Sequence, residues 1–325
     1  MILVGDLGGT NARLALFPAA PEGEAVVSAH YSSGAFASFA ALLDTFRAAH
    51  PDLVPRRCAF AVAGPVIGGR CHTTNLPWTL DAAEIARALG LAADAVALLN
   101  DVEAAALGLA AVPAERFVVL QEGDPQARGN RALIAPGTGL GEAILYWDGE
   151  RHRAFATEGG HCDFAPRNAL EAELLHHVAR RHPDHVSVER LLAGPGIALI
   201  HEFLVARSGD PAAWTPPAAS DASAAVSARA LAREDVLCEQ ALTLYAALLG
   251  AEAGNLALKA MASGGITIAG GVPPKILPAL TDGALRDNFL AKGRFRRLLE
   301  RVPLTLCLDE RAPLLGALRR AREAD

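Results

Sequence analysis

Hydrophobic residues fall in short runs that alternate with glycine-rich turns along the first third of the chain. Apolar runs on either side of Gly8–Thr10 predict two short strands joined by a tight turn. Further predicted strands cover residues 24–31, 57–63 and 95–99, and apolar residues at helical spacing predict helices over 36–50 and 80–89. Strands followed by alternating helices and strands indicate a mixed α/β sheet.

The same pattern returns near residue 131, where an apolar run precedes the turn Gly137–Gly141. Beyond it the sequence predicts strands over 143–147 and up to about 156, helices over 169–181, 188–207 and 227–262, a surface loop over 209–225, a strand from 266, helices to about 301, a strand over 304–308 and a helix over 313–322. We therefore expect two related α/β domains. Residues 1–110 with 304–325 would form the smaller one, and residues 111–303, with helical insertions, the larger.

Composition narrows the class of protein. The 325 residues carry 30 Lys and Arg against 36 Asp and Glu, a formal net charge of −6, which disfavours a general binder of nucleic acid or membrane surfaces. The five cysteines are scattered without a C-x-x-C pair, so neither a disulfide framework nor a protein metal cage is expected. No leader precedes Gly5, and the apolar stretch 241–251 is too short to span a bilayer. A cytoplasmic location is the resulting expectation.

Three glycine turns follow apolar strands, at Gly8–Gly9, Gly137–Gly141 and Gly270–Gly271. Such turns let backbone N–H groups converge on a phosphate, although a hairpin needs glycine for its own geometry as well. Asp6 would repel a phosphate, so its place at a strand end suggests Mg²⁺ or its water shell between the two. Neither the P-loop nor the Rossmann glycine pattern is present. The turns predict a nucleotide-phosphate site of another kind.

Asn100 and Asp101 come directly after a buried strand. A carboxylate at the C-terminal end of such a strand is well placed in a cleft to accept a proton from a substrate hydroxyl. Helix capping is the alternative explanation for an aspartate at this position.

Polar residues are also dense over residues 157–166, between a predicted strand and a predicted helix, where two glycines stand beside Glu158 and His161. This loop could present hydrogen-bonding groups to a small polyhydroxylated molecule, or it could be structural. Glu189 taken alone fits an ordinary surface carboxylate paired with Arg190, and Asn75 could meet substrate or cap a turn.

Together these segments resemble the bacterial glucokinases of the hexokinase, Hsp70 and actin superfamily. The matching stretches run from end to end: GDLGGTNARLAL from Gly5, TNLPW from Thr74, LLND ending at Asp101, GTGLG from Gly137, EGGHCDFAP from Glu158, VERLLAGPG from Val188, AGG from Ala269 and PLLGA from Pro313. Their order and spacing make the match specific. Related repressors and sugar kinases carry a cysteine-rich zinc motif after the histidine loop, whereas Cys162 stands alone here, which favours the zinc-free group.

This resemblance implies a two-domain actin-like (ribonuclease H-like) fold with an interdomain active-site cleft, and phosphorylation of the 6-hydroxyl of glucose by ATP with Mg²⁺. It implies that Asp101 is the general base. The implied sugar ligands are Asn75, Asn100, Asp101, Glu158, His161 and Glu189. The implied ATP and phosphate ligands are Asp6, Gly8, Gly9, Thr10, Asn11, Arg13, Gly137, Thr138, Gly139, Gly270 and Gly271. A homodimer that takes part in glycolysis is also expected from the family.

Three rival functions remain at this point. A kinase for mannose, fructose or an amino sugar would use the same scaffold. A sugar-responsive transcriptional regulator would need a DNA-binding domain, and we expect none, because five residues precede Asp6. An ATP-driven chaperone or filament protein would have no use for the sugar-binding residues.

Overall fold

A computed structural model describes residues 1–20, 23–74, 76–217 and 221–323. Its strands are β1 (Ile2–Leu7), β2 (Asn11–Phe17), β3 (Val27–Ser32), β4 (Arg57–Val62), β5 (Val66–Ile67), β6 (Arg70–His72), β7 (Thr79–Asp81), β8 (Val96–Asn100), β9 (Phe117–Gln121), β10 (Arg131–Pro136), β11 (Leu140–Trp147), β12 (His152–Thr157), β13 (Gly265–Ile268) and β14 (Leu304–Cys307). The predicted α/β class is confirmed.

The α-helices are α1 (Phe39–Ala49), α2 (Ala82–Leu89), α3 (Asp101–Gly108), α4 (Ala169–Ala179), α5 (Glu189–Leu192), α6 (Gly196–Ser208), α7 (Ala222–Leu231), α8 (Val236–Lys259), α9 (Leu277–Leu280), α10 (Ala284–Leu290), α11 (Arg296–Leu299) and α12 (Ala312–Glu323). Short 3₁₀ turns connect several of them.

The chain divides into two compact units. The first comprises residues 1–114, 154–156 and 311–325, and the second comprises 115–153 and 157–310. Strand β14 hydrogen-bonds in parallel to β13 within the second unit. The predicted boundary at residue 304 differs from this division, in which the chain returns to the first unit at Arg311.

The main sheets of the two units have the same core topology. In the first, the order is β3-β2-β1-β4-β8, with β2 antiparallel to β1 and with β1, β4 and β8 parallel. In the second, the order is β12-β11-β10-β13-β14-β9, with β11 antiparallel to β10 and with β10, β13 and β14 parallel. The second glycine turn, between β10 and β11, therefore has the same position in its sheet as the first glycine turn, between β1 and β2, has in the other sheet.

Helices cover the sheets through buried apolar faces. In the first unit, α3 and α12 meet at two glycines, since a side chain on Gly108 would collide with Ala312 and one on Gly316 with Ala104. In the second unit, α8 runs through the core with Tyr245 fully enclosed. Helix α8 is long and apolar enough to cross a membrane, but 72% of its most apolar window is buried within the protein, as in the core helix of a globular domain.

Two predicted helices are wrong in extent. The helix predicted over 188–207 is broken into α5 and α6 at Gly194–Pro195, because proline lacks an N–H and disfavours helical backbone in the residue before it. The helix predicted over 227–262 is also two helices. Arg233 has a left-handed backbone (φ 56°), and Asp235 caps the new helix α8 by accepting bonds from the N–H groups of Leu237 and Cys238.

The predicted surface loop over 209–225 is too long, because α7 begins at Ala222 behind the capping residue Asp221. Residues 218–220 of that loop lie outside the described ranges.

Candidate active site

The first glycine turn, between β1 and β2, is closed by its own backbone. Gly8 N–H donates to the carbonyl oxygen of Asn11 at 3.0 Å, and the buried Ser33 donates its hydroxyl to Gly8 O at 2.8 Å and its N–H to Thr10 O at 2.9 Å. Within the described ranges, the N–H groups of Gly9 and Thr10 have no protein acceptor. These two consecutive donors can bind an anion.

Asp6 and Arg13 lie directly opposite each other on β1 and β2. Residues at such cross-strand positions share one face of the sheet. The Nε of Arg13 is buried without a hydrogen-bond partner among the described residues. The pair therefore places a carboxylate and a guanidinium on one face of the hairpin that carries the Gly9 and Thr10 donors.

The second glycine turn, between β10 and β11, repeats this arrangement. Gly137 N–H donates to Gly139 O at 2.8 Å, and no described residue accepts from the N–H groups of Thr138 or Gly139. Two neighbouring segments hold the turn, since Gly194 N–H donates to Gly137 O at 2.7 Å and Val272 N–H donates to Pro136 O at 3.2 Å.

The third turn packs against the second. Gly270 has a left-handed backbone (φ 92°), and a Cβ there would lie 2.5 Å from the carbonyl oxygen of Pro136, so only glycine fits. Gly271 faces open space instead, as Gly137 does. The structure thus brings the predicted phosphate-binding residues Gly137, Thr138, Gly139, Gly270 and Gly271 together within the second unit.

Asn100, at the end of β8, caps α3. Its Oδ1 accepts bonds from the N–H groups of Val102 and Glu103 at 2.9 and 3.2 Å, and its Nδ2 donates to Gly64 O at 3.2 Å. The capping role that the sequence left open for Asp101 therefore falls to Asn100.

Asp101 occupies the first position of α3, where its Oδ1 accepts from Val102 N–H at 2.9 Å. Its negative charge reaches Cys71: burial first, and then the charge of Asp101, raises the pKa of the Cys71 thiol. Asn75, in the extended loop that the sequence predicts over residues 73–78, falls outside the described residues.

Glu158, His161 and Glu189 converge in the second unit. His161 Nε2 lies 3.9 Å from Glu158 Oε2, and His161 Nδ1 lies 3.9 Å from Glu189 Oε1. More than half of the Glu158 and His161 side chains is exposed, so their polar atoms can reach a ligand.

Backbone bonds between two segments bring Glu189 to the histidine loop. Val188 N–H donates to Cys162 O at 2.9 Å, and Phe164 N–H donates to Val186 O at 2.9 Å. Helix α5 is also held by α8, because the hydroxyl of the buried Tyr245 on α8 donates to Leu192 O at 2.7 Å. Glu189 Oε2 accepts from Leu140 N–H at 2.9 Å, and it is three-quarters buried, so it is not the surface partner of Arg190 that its sequence context alone favoured.

The glucokinase family profile matches residues 3–324. The chain belongs to the glucokinase family. It is similar to the glucokinase of Nostoc punctiforme, with 35% identity over 334 residues, which cover 98% of this chain and 97% of that protein. A solved glucokinase from an Antarctic psychrotroph is 33% identical, with a TM-score of 0.82 and 98% of both chains covered. The predicted family is confirmed.

A more distant glucokinase, the ROK-family protein of Streptomyces griseus solved with glucose and AMPPNP, shares the fold. It is 19% identical to this chain with a TM-score of 0.65, and 99% of each chain is covered.

Two residues near the site of this glucokinase-family chain escaped the sequence analysis. Ser33 braces the first glycine turn, and Glu142 on β11 lies beneath the loop that carries Glu158 and His161. An acidic residue between apolar neighbours in a strand is the signal that could have drawn attention to Glu142.

One group of possible metal ligands occurs among the described residues of this family member, formed by His201, Asp235 and Cys238. Asp235 already caps α8, and the side chains of Cys238 and Asp235 hydrogen-bond to each other. None of the three belongs to the predicted site. All five cysteines are free thiols.

Proposed function

We propose that this protein transfers the γ-phosphoryl group of ATP to the 6-hydroxyl of D-glucose, forming glucose 6-phosphate and ADP. The observation that carries the proposal is the convergence of Glu158, His161 and Glu189, in a unit whose glycine turn also offers two backbone donors without acceptors. Membership of the glucokinase family supports it, as does the ATP analogue AMPPNP bound by the distant Streptomyces relative.

The glycine turns would bind the phosphates of ATP. Gly9 and Thr10 in one turn, and Thr138 and Gly139 in the other, present paired N–H groups to anionic oxygens. Gly8, Asn11 and Gly137 shape these turns, and Arg13 adds positive charge. Gly270 lets the third turn pack against Pro136, so that the open backbone at Gly271 can approach the nucleotide. Since phosphoryl transfer depends mostly on positioning and charge neutralisation, few reactive side chains are needed.

Asp6 would help to hold the Mg²⁺ that accompanies ATP. A carboxylate at a strand end fits a hard cation that keeps several of its waters and binds phosphate oxygens. The bound ion would supply positive charge to the β- and γ-phosphates.

Asp101 would act as the general base. Its carboxylate takes the proton of the 6-hydroxyl while that oxygen forms a bond to the γ-phosphorus, and the bond to the bridging oxygen of ADP breaks on the opposite side, in line. The position of Asp101 at the junction of β8 and α3 holds the carboxylate on rigid elements.

The sugar hydroxyls would be bound by Asn75, Asn100, Glu158, His161 and Glu189. Carboxylates accept hydrogen bonds from neighbouring hydroxyls, and amides both accept and donate them, so an epimer of glucose would leave at least one of these groups without its partner. By family resemblance we also propose that the protein is a cytoplasmic homodimer that acts in glycolysis.

A coupled assay with ATP across glucose, mannose, fructose and glucosamine tests the function. We expect glucose to give the highest kcat/KM, and phosphorus NMR of the product to place the phosphate on the 6-hydroxyl. A clear preference for another sugar, or a phosphate elsewhere on glucose, would overturn the proposal.

A further inference from the structure

Glu142 is a buried acidic residue on β11 that none of the proposed catalytic steps uses. Only 2% of the residue is exposed. It lies two positions after Leu140, whose N–H binds Glu189, so both residues point to the same face of the strand.

The loop that carries Glu158 and His161 rests directly on this residue. A Cβ added to Gly159 would lie 2.8 Å from the carboxyl carbon of Glu142 and would also collide with its Oε2, and one added to Gly160 would collide with Leu140 O. The hydroxyl of Thr157 donates to Glu142 O at 3.3 Å and accepts from Gly159 N–H at 3.1 Å. The loop is therefore in contact with both the main chain and the side chain of Glu142.

The surroundings of Glu142 disfavour a charged carboxylate. Its Oε1 is buried and has no hydrogen-bond partner among the described residues. Burial, and then the nearby Glu252, raises the pKa of Glu142 to about 7, with Lys259 acting in the opposite direction. Lys259 Nζ lies 3.5 Å from Glu252 Oε1, so this lysine is engaged by the other carboxylate.

We propose that Glu142 is a positioning residue for the sugar-binding loop, with its neutral carboxyl packed beneath Gly159 so that Glu158 and His161 are held in place for glucose. This inference rests on the proposed function. An ionised Glu142 would be a buried charge without a partner, which is relieved when the side chain moves or water enters. Either change displaces the loop, because Gly159 leaves no space above the carboxyl group.

Besides Glu142 itself, charged groups occur on five segments that neighbour β11, namely α8, α5, the loop, β10 and β12. Helix α8 contributes Glu252 and Lys259, and α5 contributes Glu189. The loop itself carries Glu158 and His161. The charged residues of β10 and β12 are Arg131, His152 and Arg153, and the last two bind Gly129 O and the Asp148 carboxylate. A change of the glucose Kd with pH must therefore be assigned to Glu142 by substitution.

The test measures the Kd of glucose by calorimetry, without ATP, between about pH 6 and about pH 8.5. In the parent protein we expect the Kd to rise by roughly three- to tenfold over this range, as Glu142 ionises. Glu142→Gln keeps the shape of the neutral acid. The glucose Kd of this variant should therefore stay close to the value of the parent protein at the low end of the pH range, and most of the increase with pH should be absent. Glu252→Gln removes a charge that raises the pKa of Glu142, so the rise should begin at lower pH.

Hydrogen exchange of the amides in residues 157–163, corrected for intrinsic rates, gives a second readout that needs no sugar. Protection should fall with pH in the parent protein and persist in Glu142→Gln. Glu173→Gln, which removes one charge from a half-exposed ion pair with Arg207, is the matched control and should behave like the parent. If Kd and amide protection change with pH in the same way in Glu142→Gln as in the parent protein, the inference is overturned. Absence of glucose binding in the parent would instead refute the proposed function.

Discussion

The carboxylate of Glu189 accepts a hydrogen bond from the backbone N–H of Leu140 at 2.9 Å. Leu140 lies within the second glycine turn (Gly137–Gly141) and begins β11, and the other oxygen of Glu189 lies 3.9 Å from His161 Nδ1. One side chain thus connects the turn that we assign to phosphate binding with the cluster that we assign to sugar binding.

Changing Glu189 should separate these two contacts. In Glu189→Gln the amide oxygen can still accept from Leu140, but the second acceptor becomes a donor, so the glucose KM should rise by about 10- to 100-fold with little change in the ATP KM. Glu189→Ala should raise both KM values, because the turn loses its support. Arg190→Ala is the control and should leave steady-state kinetics unchanged. Equal effects of Glu189→Gln and Arg190→Ala on the glucose KM would contradict sugar binding by Glu189.

Asp101→Asn should abolish most of the turnover while sparing glucose binding. The amide keeps the shape of the side chain but cannot accept the hydroxyl proton, so kcat should fall by about 10²- to 10⁴-fold. Calorimetry should show a glucose Kd within about threefold of the parent value. Asp94→Asn, in a short 3₁₀ turn, is the charge-matched control. Turnover close to normal in Asp101→Asn would place the base elsewhere.

Asn100 should affect stability as well as sugar binding. Asn100→Ala removes the cap of α3 and the bond to Gly64, so the free energy of unfolding should fall by about 1–2 kcal/mol in urea titrations. Asn100→Ser restores a capping oxygen but not the amide donor. We expect it to recover most of the stability and to keep an elevated glucose KM. If the glucose KM of Asn100→Ser also returns to the parent value, Asn100 acts only as a helix cap.

Gly137 and Gly139, the two glycines between β10 and β11, should respond differently to substitution by alanine. The Cβ of Gly137→Ala enters open space, so the unfolding free energy should change by less than about 0.5 kcal/mol, while the methyl group near a bound phosphate should raise the ATP KM by about tenfold or more. The Cβ of Gly139→Ala would lie 2.7 Å from Glu189 Oε2, so this variant should raise the glucose KM too. An unchanged ATP KM in Gly137→Ala would contradict phosphate binding at this turn.

Glu142 should make stability depend on pH. The folded protein holds this proton up to a pKa of about 7, against 4.5 for an ordinary glutamate, so between these values the native state binds more protons than the unfolded chain and stability falls as pH rises. Glu142→Gln should therefore be more stable than the parent at about pH 8, by about 2–4 kcal/mol, and similar to it near pH 4. Urea unfolding at both pH values measures this. If Glu142→Gln differs from the parent protein by the same unfolding free energy at both pH values, ionisation of Glu142 is not the cause of the difference.

Local sequence signals were sufficient for many elements. Apolar runs on either side of glycines predicted the β1–β2 and β10–β11 hairpins, and helical spacing predicted α4, which covers Ala169–Ala179 within the predicted range 169–181. Local signals were insufficient at 188–207. There the apolar spacing continues through Gly194–Pro195, but the helical backbone is interrupted at these two residues. Helical periodicity shows only which positions are buried. Two consecutive helices can therefore produce one continuous pattern of buried positions, as α5 and α6 do here.

The sequence by itself determined the α/β class, the glycine turns and the family, because these depend on local backbone preferences and on the order of short segments. Only the tertiary structure decided that Asn100, not Asp101, caps α3, that Glu189 binds Leu140, and that Glu142 lies beneath Gly159. Leu140 and Glu189 are 49 residues apart, and Glu142 and Gly159 are on different segments. Contacts of this kind arise when distant elements pack, so no local pattern of residues encodes them.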